Sequence, residues 1–189
     1  MAAADPAARE LGIQPNLSMD DLRDVYNVLF RLGISEPSVI LDILGLSGFW
    51  LCSTCTQSEY VRVMDTDLVY VAVQAPNAPI RAVTFITESH KVPGWSSYSS
   101  DHNTYRNCWS WFDASIQGSS MRKFVQANVH ASDVRRRHVN TWDCRDPELQ
   151  EWLASVNAGE ELRLIARSRY PGWANHVYEA EVRVYYRCL

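Results

Sequence analysis

From about Tyr60 to the C-terminus, apolar and polar residues alternate with a period close to two in short runs. The runs are rich in β-branched and aromatic residues, and clusters of Pro, Gly, Asn, Asp or Ser separate them. The seven runs are DLVYVAVQA, IRAVTFITESH, NCWSWFDASI, KFVQANVHA, RHVNTW, ELRLIARSR and VYEAEVRVYYR. Because no long helical pattern intervenes, the sequence predicts a mainly β fold, an antiparallel β-sandwich.

Side-chain alternation assigns faces within two of these runs. In the last run, one face is predicted to be core and the other to be charged and solvated. The predicted core side carries Tyr178, Ala180, Val182, Val184 and Tyr186, and the other side carries Glu179, Glu181 and Arg183. In the third run, Trp109 and Trp111 share one side and Phe112 points to the opposite side. Core packing is favoured over ligand contact for the two tryptophans, since tryptophan is highly buried on average.

Two helical patterns precede the strand runs. SMDDLRDVYNVLFRLG has a Ser or Asp cap, an apolar face and a terminal Gly33, and SEPSVILDILGLSGFW has Pro37 in its first turn. Residues 1–16 lack sustained periodicity, which predicts a flexible tail. We therefore expect two short helices within 17–50 that pack on the sandwich, and a β-sandwich domain at 51–189.

Charge and hydropathy narrow the functional classes. The chain carries 18 basic and 22 acidic residues, a formal net charge of -4. This balance gives no overall attraction to nucleic acid or to an anionic membrane, so neither is predicted as a partner. No apolar run approaches the roughly 20 residues that span a bilayer, and the first residues do not resemble a signal peptide. These features predict a soluble, cytoplasmic protein.

The cysteine pattern favours reduced thiols. An odd number of cysteines, five, is typical of a cytosolic protein rather than of a disulfide framework. Cys52 and Cys55 have zinc-ligand spacing, but a structural zinc takes four ligands and no second close pair follows in the sequence. We expect two partly buried thiols in a connector. No phosphate-binding Gly-rich loop or dinucleotide fingerprint occurs either, so no metal and no cofactor is predicted.

Strand parity predicts that three loops meet at one end of the sandwich. If consecutive strands run up and down, the loops after residues 81–90, 122–131 and 161–169 share that end. The first and third loops contain the related sequences VPGWSSY and YPGWANH, in which Pro fixes a turn and Gly permits tight geometry. Clustered loops on a rigid sandwich are a common place for a ligand site.

Six side chains at this end are candidate ligand-binding groups. Aromatic rings can stack on a sugar or on a flat organic ring, and amides can bond to polar groups of a ligand; alternatively, the tryptophans close the end of the core. The predicted substrate-binding residues are Trp95, Tyr98, Asn128, His130, Trp173 and Asn175.

Four further residues are candidate catalytic groups. Histidines that meet at one end can be acid–base groups, metal ligands or satisfied structural residues, and the lack of a motif such as His-Glu-x-x-His weakens the metal option. An arginine of the stretch RRRH can bind a carbonyl, enolate or carboxylate, or can lie in a solvated turn. The predicted catalytic residues are His90, Arg135, Arg137 and His176.

Several segments resemble a group of fungal β-sandwich domains. These domains pair a Ser-His-x-x-x-Gly-Trp turn and a Trp-x-Trp-Phe strand with a late Pro-Gly-Trp-x-Asn-His turn. The similar segments are ILDILGLSGFW, IRAVTFITESHKVPGWSSYSSDHNTYRNCWSWFDASI, KFVQANVHAS and LRLIARSRYPGWANHVYEAEVRVYY, within residues 38–187. The resemblance implies a galactose-binding-like jelly roll and a sugar-binding or protein-interaction module.

Within this group, the chain is similar to the single-domain hetero-Diels-Alderases of fungal tropolonic sesquiterpenoid biosynthesis. That resemblance implies a cofactor-independent enzyme that joins a tropolone quinone methide to a humulene-type polyene, with polyketide and terpenoid small molecules as its partners. The alternatives are a non-catalytic glycan-binding module and an intracellular interaction scaffold that docks through the N-terminal helices. Homodimerisation through an edge strand or an aromatic face is compatible with such a sandwich.

Overall fold

The computed structural model describes residues 19–91 and 99–186. Within these ranges the chain forms two antiparallel sheets and three α-helices, which confirms the predicted mainly β sandwich with two short N-terminal helices. The helices are α1 (Met19–Arg31), α2 (Pro37–Leu46) and α3 (Pro147–Ala154). The strands are β1 (Leu51–Gln57), β2 (Val61–Met64), β3 (Asp67–Gln74), β4 (Ile80–Lys91), β5 (Ser110–Ile116), β6 (Arg122–Ala127), β7 (Arg136–Asp143), β8 (Glu161–Ser168) and β9 (Ala174–Tyr186).

The two long strands β4 and β9 form the centre of the first sheet. Its order is β1, β9, β4, β7, and β2 pairs with the start of β9 beyond the end of β1. The second sheet has the order β3, β8, β5, β6. Neighbouring strands in both sheets are antiparallel, so one face of each sheet can be apolar and the other polar.

The core lies between the sheets. Phe85 of β4 and Val182 of β9 face Phe112 of β5 and Leu164 of β8, and all four side chains are fully buried. Helix α3 closes one edge of this core, because its Trp152 ring packs edge-to-face on Trp142 with the centroids 5.0 Å apart.

Helices α1 and α2 form a hairpin with a small apolar cluster of its own. Leu22, Ile40 and Leu44 are buried in it, and Leu51 at the start of β1 packs against them. Gly33 follows α1 with φ +89, a left-handed conformation that glycine adopts without steric cost and that ends the helix as predicted.

The predicted core packing of Trp109 and Trp111 is wrong, although Phe112 does point to the opposite side of the strand from them as predicted. Phe112 is fully buried between the sheets, while Trp109 is 40% exposed and the half-buried Trp111 lies on the outer face of its sheet. Neighbouring side chains cover these outer rings. The Arg167 guanidinium carbon lies 4.9 Å from the Trp111 ring centroid, and Tyr170 meets Trp109 edge-to-face at 4.8 Å.

Cys52 and Cys55 lie in the edge strand β1 and not in a connector. β1 pairs with the C-terminal half of β9, with Cys52 opposite Tyr185 and Cys55 opposite Val182. A separation of three residues in a strand puts two side chains on opposite faces. Accordingly, Cys52 is exposed while Cys55 packs against the core, and the two thiols cannot share a metal ion.

Truncation of Phe112 is expected to destabilise the fold strongly. Phe112→Ala should lower the free energy of unfolding by about 3 to 5 kcal/mol, because it removes a fully buried ring and leaves a cavity. Phe124 on the neighbouring strand β6 is 59% exposed, so Phe124→Ala should change stability by less than about 1 kcal/mol. Urea unfolding followed by circular dichroism measures both, and equal losses would contradict the assignment of Phe112 to the core.

Candidate functional site

The loops predicted to share one end of the sandwich do meet there. His90, near the end of β4, pairs with His176 in β9, and the His130 ring centroid lies 5.2 Å from that of Trp173. This end is termed the loop end. The predicted ligand-binding residues Trp95 and Tyr98 lie outside the described residues.

Side-chain alternation in β4 and β9 separates the loop-end residues into two clusters. Ser89 and Lys91 continue the core-facing positions of β4, whereas His90 points to the outer face of the sheet. The inner cluster comprises Ser89, Lys91, Ser110, Asn128, His130, Trp173 and Asn175. The outer cluster comprises Tyr60, His90, Arg135, His176 and Tyr178.

Two buried amides hold the inner cluster together. Asn128 accepts a hydrogen bond from the Ser89 hydroxyl at 2.7 Å and donates to Ser110 Oγ at 3.0 Å and to Asn175 Oδ1 at 2.9 Å. Asn175 in turn donates to the backbone carbonyls of Trp111 and Arg167 at 3.2 and 3.3 Å. These bonds connect both sheets, and they satisfy polar groups whose burial would otherwise be costly.

Lys91 is the exception in the inner cluster. Its side chain is fully buried, and its Nζ has no hydrogen-bond partner among the described residues. The ammonium lies 2.6 Å from the Trp173 ring centroid, so the indole face is its main electrostatic partner. Burial lowers the pKa of Lys91 from 10.5 to about 8, which leaves the amine mostly protonated at neutral pH.

His130 lies beside this ammonium and is also buried. Its Nδ1 bonds to the backbone carbonyl of Asn107 at 2.8 Å, which places a proton on Nδ1. Burial, followed by the electrostatic effect of the neighbouring Lys91 and His102 side chains, lowers the pKa of His130. The inner cluster therefore contains a neutral imidazole and an ammonium that lacks a carboxylate partner within the described ranges.

The outer cluster is a stack of rings with defined hydrogen bonds. His90 and His176 are parallel within 6°, with ring centroids 4.7 Å apart. Tyr60 Oη lies 2.8 Å from His176 Nδ1, and Tyr178 Oη lies 2.9 Å from His90 Nε2. The Arg135 guanidinium carbon lies 3.3 Å from the Tyr178 ring centroid. Three predicted catalytic residues, His90, Arg135 and His176, are thus brought together.

Burial and neighbouring cations keep both outer histidines neutral. Burial lowers the pKa of His176, and His90 and Arg62 lower it further. Burial is also the main reason that the pKa of His90 is lowered, and Arg135 adds to the effect. The outer cluster therefore offers neutral imidazoles, two phenol hydroxyls and one half-exposed guanidinium.

Tyr178 belongs to the outer cluster, so its predicted core-facing position is wrong. A β-bulge in the β4–β9 ladder is responsible: Glu88 pairs with Glu179 and Ser89 pairs with Val177, which leaves Tyr178 as an extra residue. Ala180, beyond the bulge, faces the core as predicted.

Five cluster residues were not predicted, and one predicted residue lies apart. The five that join the clusters without having been selected from the sequence are Ser89, Lys91, Ser110, Tyr60 and Tyr178. The alternation through Phe85 and Ser89 is a signal that could have identified Lys91 as core-facing. Arg137 is exposed on β7 opposite Glu88 and belongs to neither cluster.

Comparison with known proteins identifies no family, so the chain is classified by its fold. The chain is an antiparallel β-sandwich protein; no family model and no curated protein matches it. Among solved structures, it is similar to dimeric latent PorU from Porphyromonas gingivalis, with a TM-score of 0.34 and 12% identity. The match covers 73% of this chain and 13% of that chain.

Metal-binding side-chain groups and membrane-spanning helices are both absent from the described ranges. No group of three or more His, Cys, Asp or Glu side chains in residues 19–91 and 99–186 is arranged to hold a metal ion. In the same ranges, no helix has both the length and the apolar character needed to cross a membrane.

Replacement of the buried ammonium is expected to stabilise the protein. Because the folded-state pKa of Lys91 is about 8 and the ordinary value is 10.5, the unfolded state binds more protons between these pH values, and stability should rise with pH there. At neutral pH, Lys91→Met should raise the free energy of unfolding by about 1 to 3 kcal/mol, because it removes the buried charge.

The other lysine of the chain, Lys123, is the matched control, since its amine bonds to the Glu148 carbonyl at 2.8 Å. Urea unfolding at neutral pH and near pH 10 should show the gain from Lys91→Met shrinking with pH, and no gain from Lys123→Met. A gain that is the same at both pH values would contradict the lowered pKa of Lys91.

Acidification is expected to weaken the outer cluster. The pKa values of His90 and His176 are lowered in the folded state, so the unfolded state takes up protons first, and stability falls as pH decreases below about 6.5. A His90→Gln/His176→Gln variant should lose part of this acid sensitivity. The control is His102→Gln, an exposed residue outside the outer cluster, which should retain it. Urea unfolding at neutral pH and about pH 5.5 distinguishes these outcomes.

Proposed function

We propose that the protein is a cofactor-independent biosynthetic enzyme that activates the oxygen of a conjugated small molecule at the loop end. The reaction proposed is the intermolecular hetero-Diels-Alder addition of a tropolone quinone methide to a humulene-type polyene. The observation that carries this proposal is Lys91, a fully buried cation whose Nζ has no acceptor among the described residues. A bound carbonyl oxygen would supply the acceptor that this ammonium lacks.

The chemistry of the reaction suits such a donor. A conjugated C=C–C=O unit adds to an alkene, so that a new C–C bond and a new C–O bond form, and no group leaves. Hydrogen bonding from the Lys91 ammonium to the quinone methide oxygen would draw electron density from the reacting carbon and stabilise charge that develops on oxygen. Holding both partners in one orientation would lower the barrier further.

The surroundings of Lys91 favour a hydrogen bond from its ammonium to a ligand oxygen. The Trp173 ring excludes water from one side of the ammonium, and hydrogen bonds are stronger in such a low-dielectric site. His130 is neutral and does not compete as an acid, since burial lowers its pKa. The buried amides of Asn128 and Asn175 would act as supports for this arrangement, because their hydrogen bonds are made within the protein.

The same amide bonds weigh against the glycan-binding alternative at this end. Sugar recognition by Asn128 and Asn175 would require amide groups that are available to a ligand, whereas both amides, unlike the Lys91 amine, make their hydrogen bonds within the protein. The outer cluster is the second candidate for the oxygen-activating group. Arg135 is half-exposed there, beside two phenol hydroxyls.

A product assay with matched variants tests the proposal. Purified protein is mixed with a quinone methide generated in place and a hydroxylated humulene, and adducts are separated by chiral chromatography and identified by mass spectrometry. The wild type should form a stereoselective adduct faster than the heat-denatured protein does. Lys91→Met should lower the catalysed rate by about 100-fold or more, the typical effect of removing one such donor.

Lys123→Met, which changes a lysine remote from the inner cluster, should retain the wild-type rate. If Arg135→Gln abolishes the activity while Lys91→Met retains it, the reaction belongs to the outer cluster. If no protein-dependent adduct forms, this reaction is wrong and glycan binding becomes the hypothesis to test.

A further inference from the structure

The α1–α2 hairpin buries only part of its apolar surface. Its cluster contains three fully packed side chains, Leu22, Ile40 and Leu44. Other large apolar residues of the hairpin remain exposed. Leu32, directly after α1, is 72% exposed and Leu46, at the end of α2, is 90% exposed, the highest values among the large apolar residues of the described part of the chain. A hairpin of two short helices has too few layers to cover both sides of each helix.

Four of the five exposed large apolar residues of the hairpin follow helical spacing, and Phe30 is the exception. Val28 of α1 and Leu32, which directly follows α1, are four residues apart, and Val39 and Leu46 of α2 are seven residues apart. Residues at these spacings lie on the same side of a helix. Val28 precedes the packed Leu29 by one residue, and Val39 precedes the packed Ile40 by one residue, so each pair lies on a different side of its helix from the packed residues. Val28, Leu32, Val39 and Leu46 are termed the hairpin stripe.

Acidic residues accompany the hairpin stripe. Asp24 lies four residues before Val28, and Asp42 lies between Val39 and Leu46, so both fall on the same sides of their helices as the stripe. Residues 19–46 contain five acidic and two basic side chains, a net charge of -3 out of -4 for the whole chain. The charge of the protein is therefore concentrated on this hairpin.

We propose that the hairpin stripe docks a basic amphipathic helix of another protein, whose leucine-type residues would cover the stripe and whose Lys or Arg residues would face Asp24 and the net negative charge of the hairpin. This inference goes beyond the enzymatic proposal and does not depend on it. An amphipathic helix packs its apolar face into such a surface with anchors spaced by three, four or seven residues, which matches the spacing of the stripe.

The charge of the hairpin favours a basic helix over two other possible partners of the hairpin stripe. A second copy of the chain would bring another hairpin of net charge -3 against the first, which is electrostatically unfavourable. An anionic lipid surface would be repelled for the same reason. A basic helix instead pairs opposite charges around an apolar centre.

A model peptide tests the docking. The probe is a fluorescein-labelled amphipathic helix of about 18 residues, five helical turns, built from Leu and Lys, and its counterpart contains Leu and Glu. Fluorescence anisotropy with the full chain should show binding of the Leu/Lys peptide that weakens at high ionic strength, and no binding of the Leu/Glu peptide. Binding of both peptides with equal affinity would overturn the proposal.

Variants locate the binding site. Leu32→Ser/Leu46→Ser should weaken binding of the Leu/Lys peptide by about tenfold or more, since both residues would be buried anchors. Asp24→Asn should weaken it at low ionic strength and have little effect at high ionic strength. The matched control is Val69→Ser, an exposed apolar residue of β3, which should bind as the wild type does.

Two further outcomes would overturn the proposal. The first is unchanged peptide binding by the Leu32→Ser/Leu46→Ser variant, with its folding verified by circular dichroism. The second is a wild-type dimer, measured by light scattering, that becomes a monomer in that variant. The second result would assign the hairpin stripe to a contact between copies of the chain.

Discussion

The pairing of β4 with β9 is the interaction on which the rest of the structure depends. These are the two longest strands, and between them they join β1, β2 and β7 into one sheet. Their buried faces supply Phe85 and Val182 to the core, and their last and first residues carry Lys91, Asn175 and His176 to the loop end. A single bulge in this ladder directs Tyr178 outward, and the outer cluster depends on it.

The inner cluster contains buried amides whose hydrogen bonds are satisfied and a buried ammonium that has no hydrogen-bond acceptor among the described residues. Asn128 and Asn175 use their amides to tie the two sheets together, so their burial is compensated by hydrogen bonds. Lys91 is buried to the same degree, but its Nζ lies over the Trp173 ring and has no hydrogen-bond partner within the described ranges. The protein would be more stable with an apolar residue of similar length at this position. A buried charge that lowers stability at the place where the loops converge is typical of a residue that serves ligand recognition rather than stability.

The sandwich and the convergence of the loops could be predicted from period-two patterns and strand parity, because both follow from local backbone geometry. The predicted side-chain faces were wrong where a residue distant in sequence or a β-bulge determines the orientation. Trp111 is covered on the outer face by Arg167, which is distant in sequence, and the alternation pattern contains no information about that contact. The bulge at Tyr178 likewise arises from pairing with β4 and leaves no local signature. Lys91 was overlooked although the alternation in β4 already placed it on the core side.

The two proposed surfaces lie at opposite ends of β9. Leu51, which packs against the α1–α2 hairpin, pairs with Tyr186 at the end of β9, whereas His176 is near its start. At about 3.3 Å per residue, these positions on β9 are about 30 Å apart. A helix docked on the hairpin stripe would therefore leave the loop end accessible to a small molecule. Docking and ligand activation can then operate in the same molecule without competing for surface, and each can be disrupted by substitutions that leave the other intact.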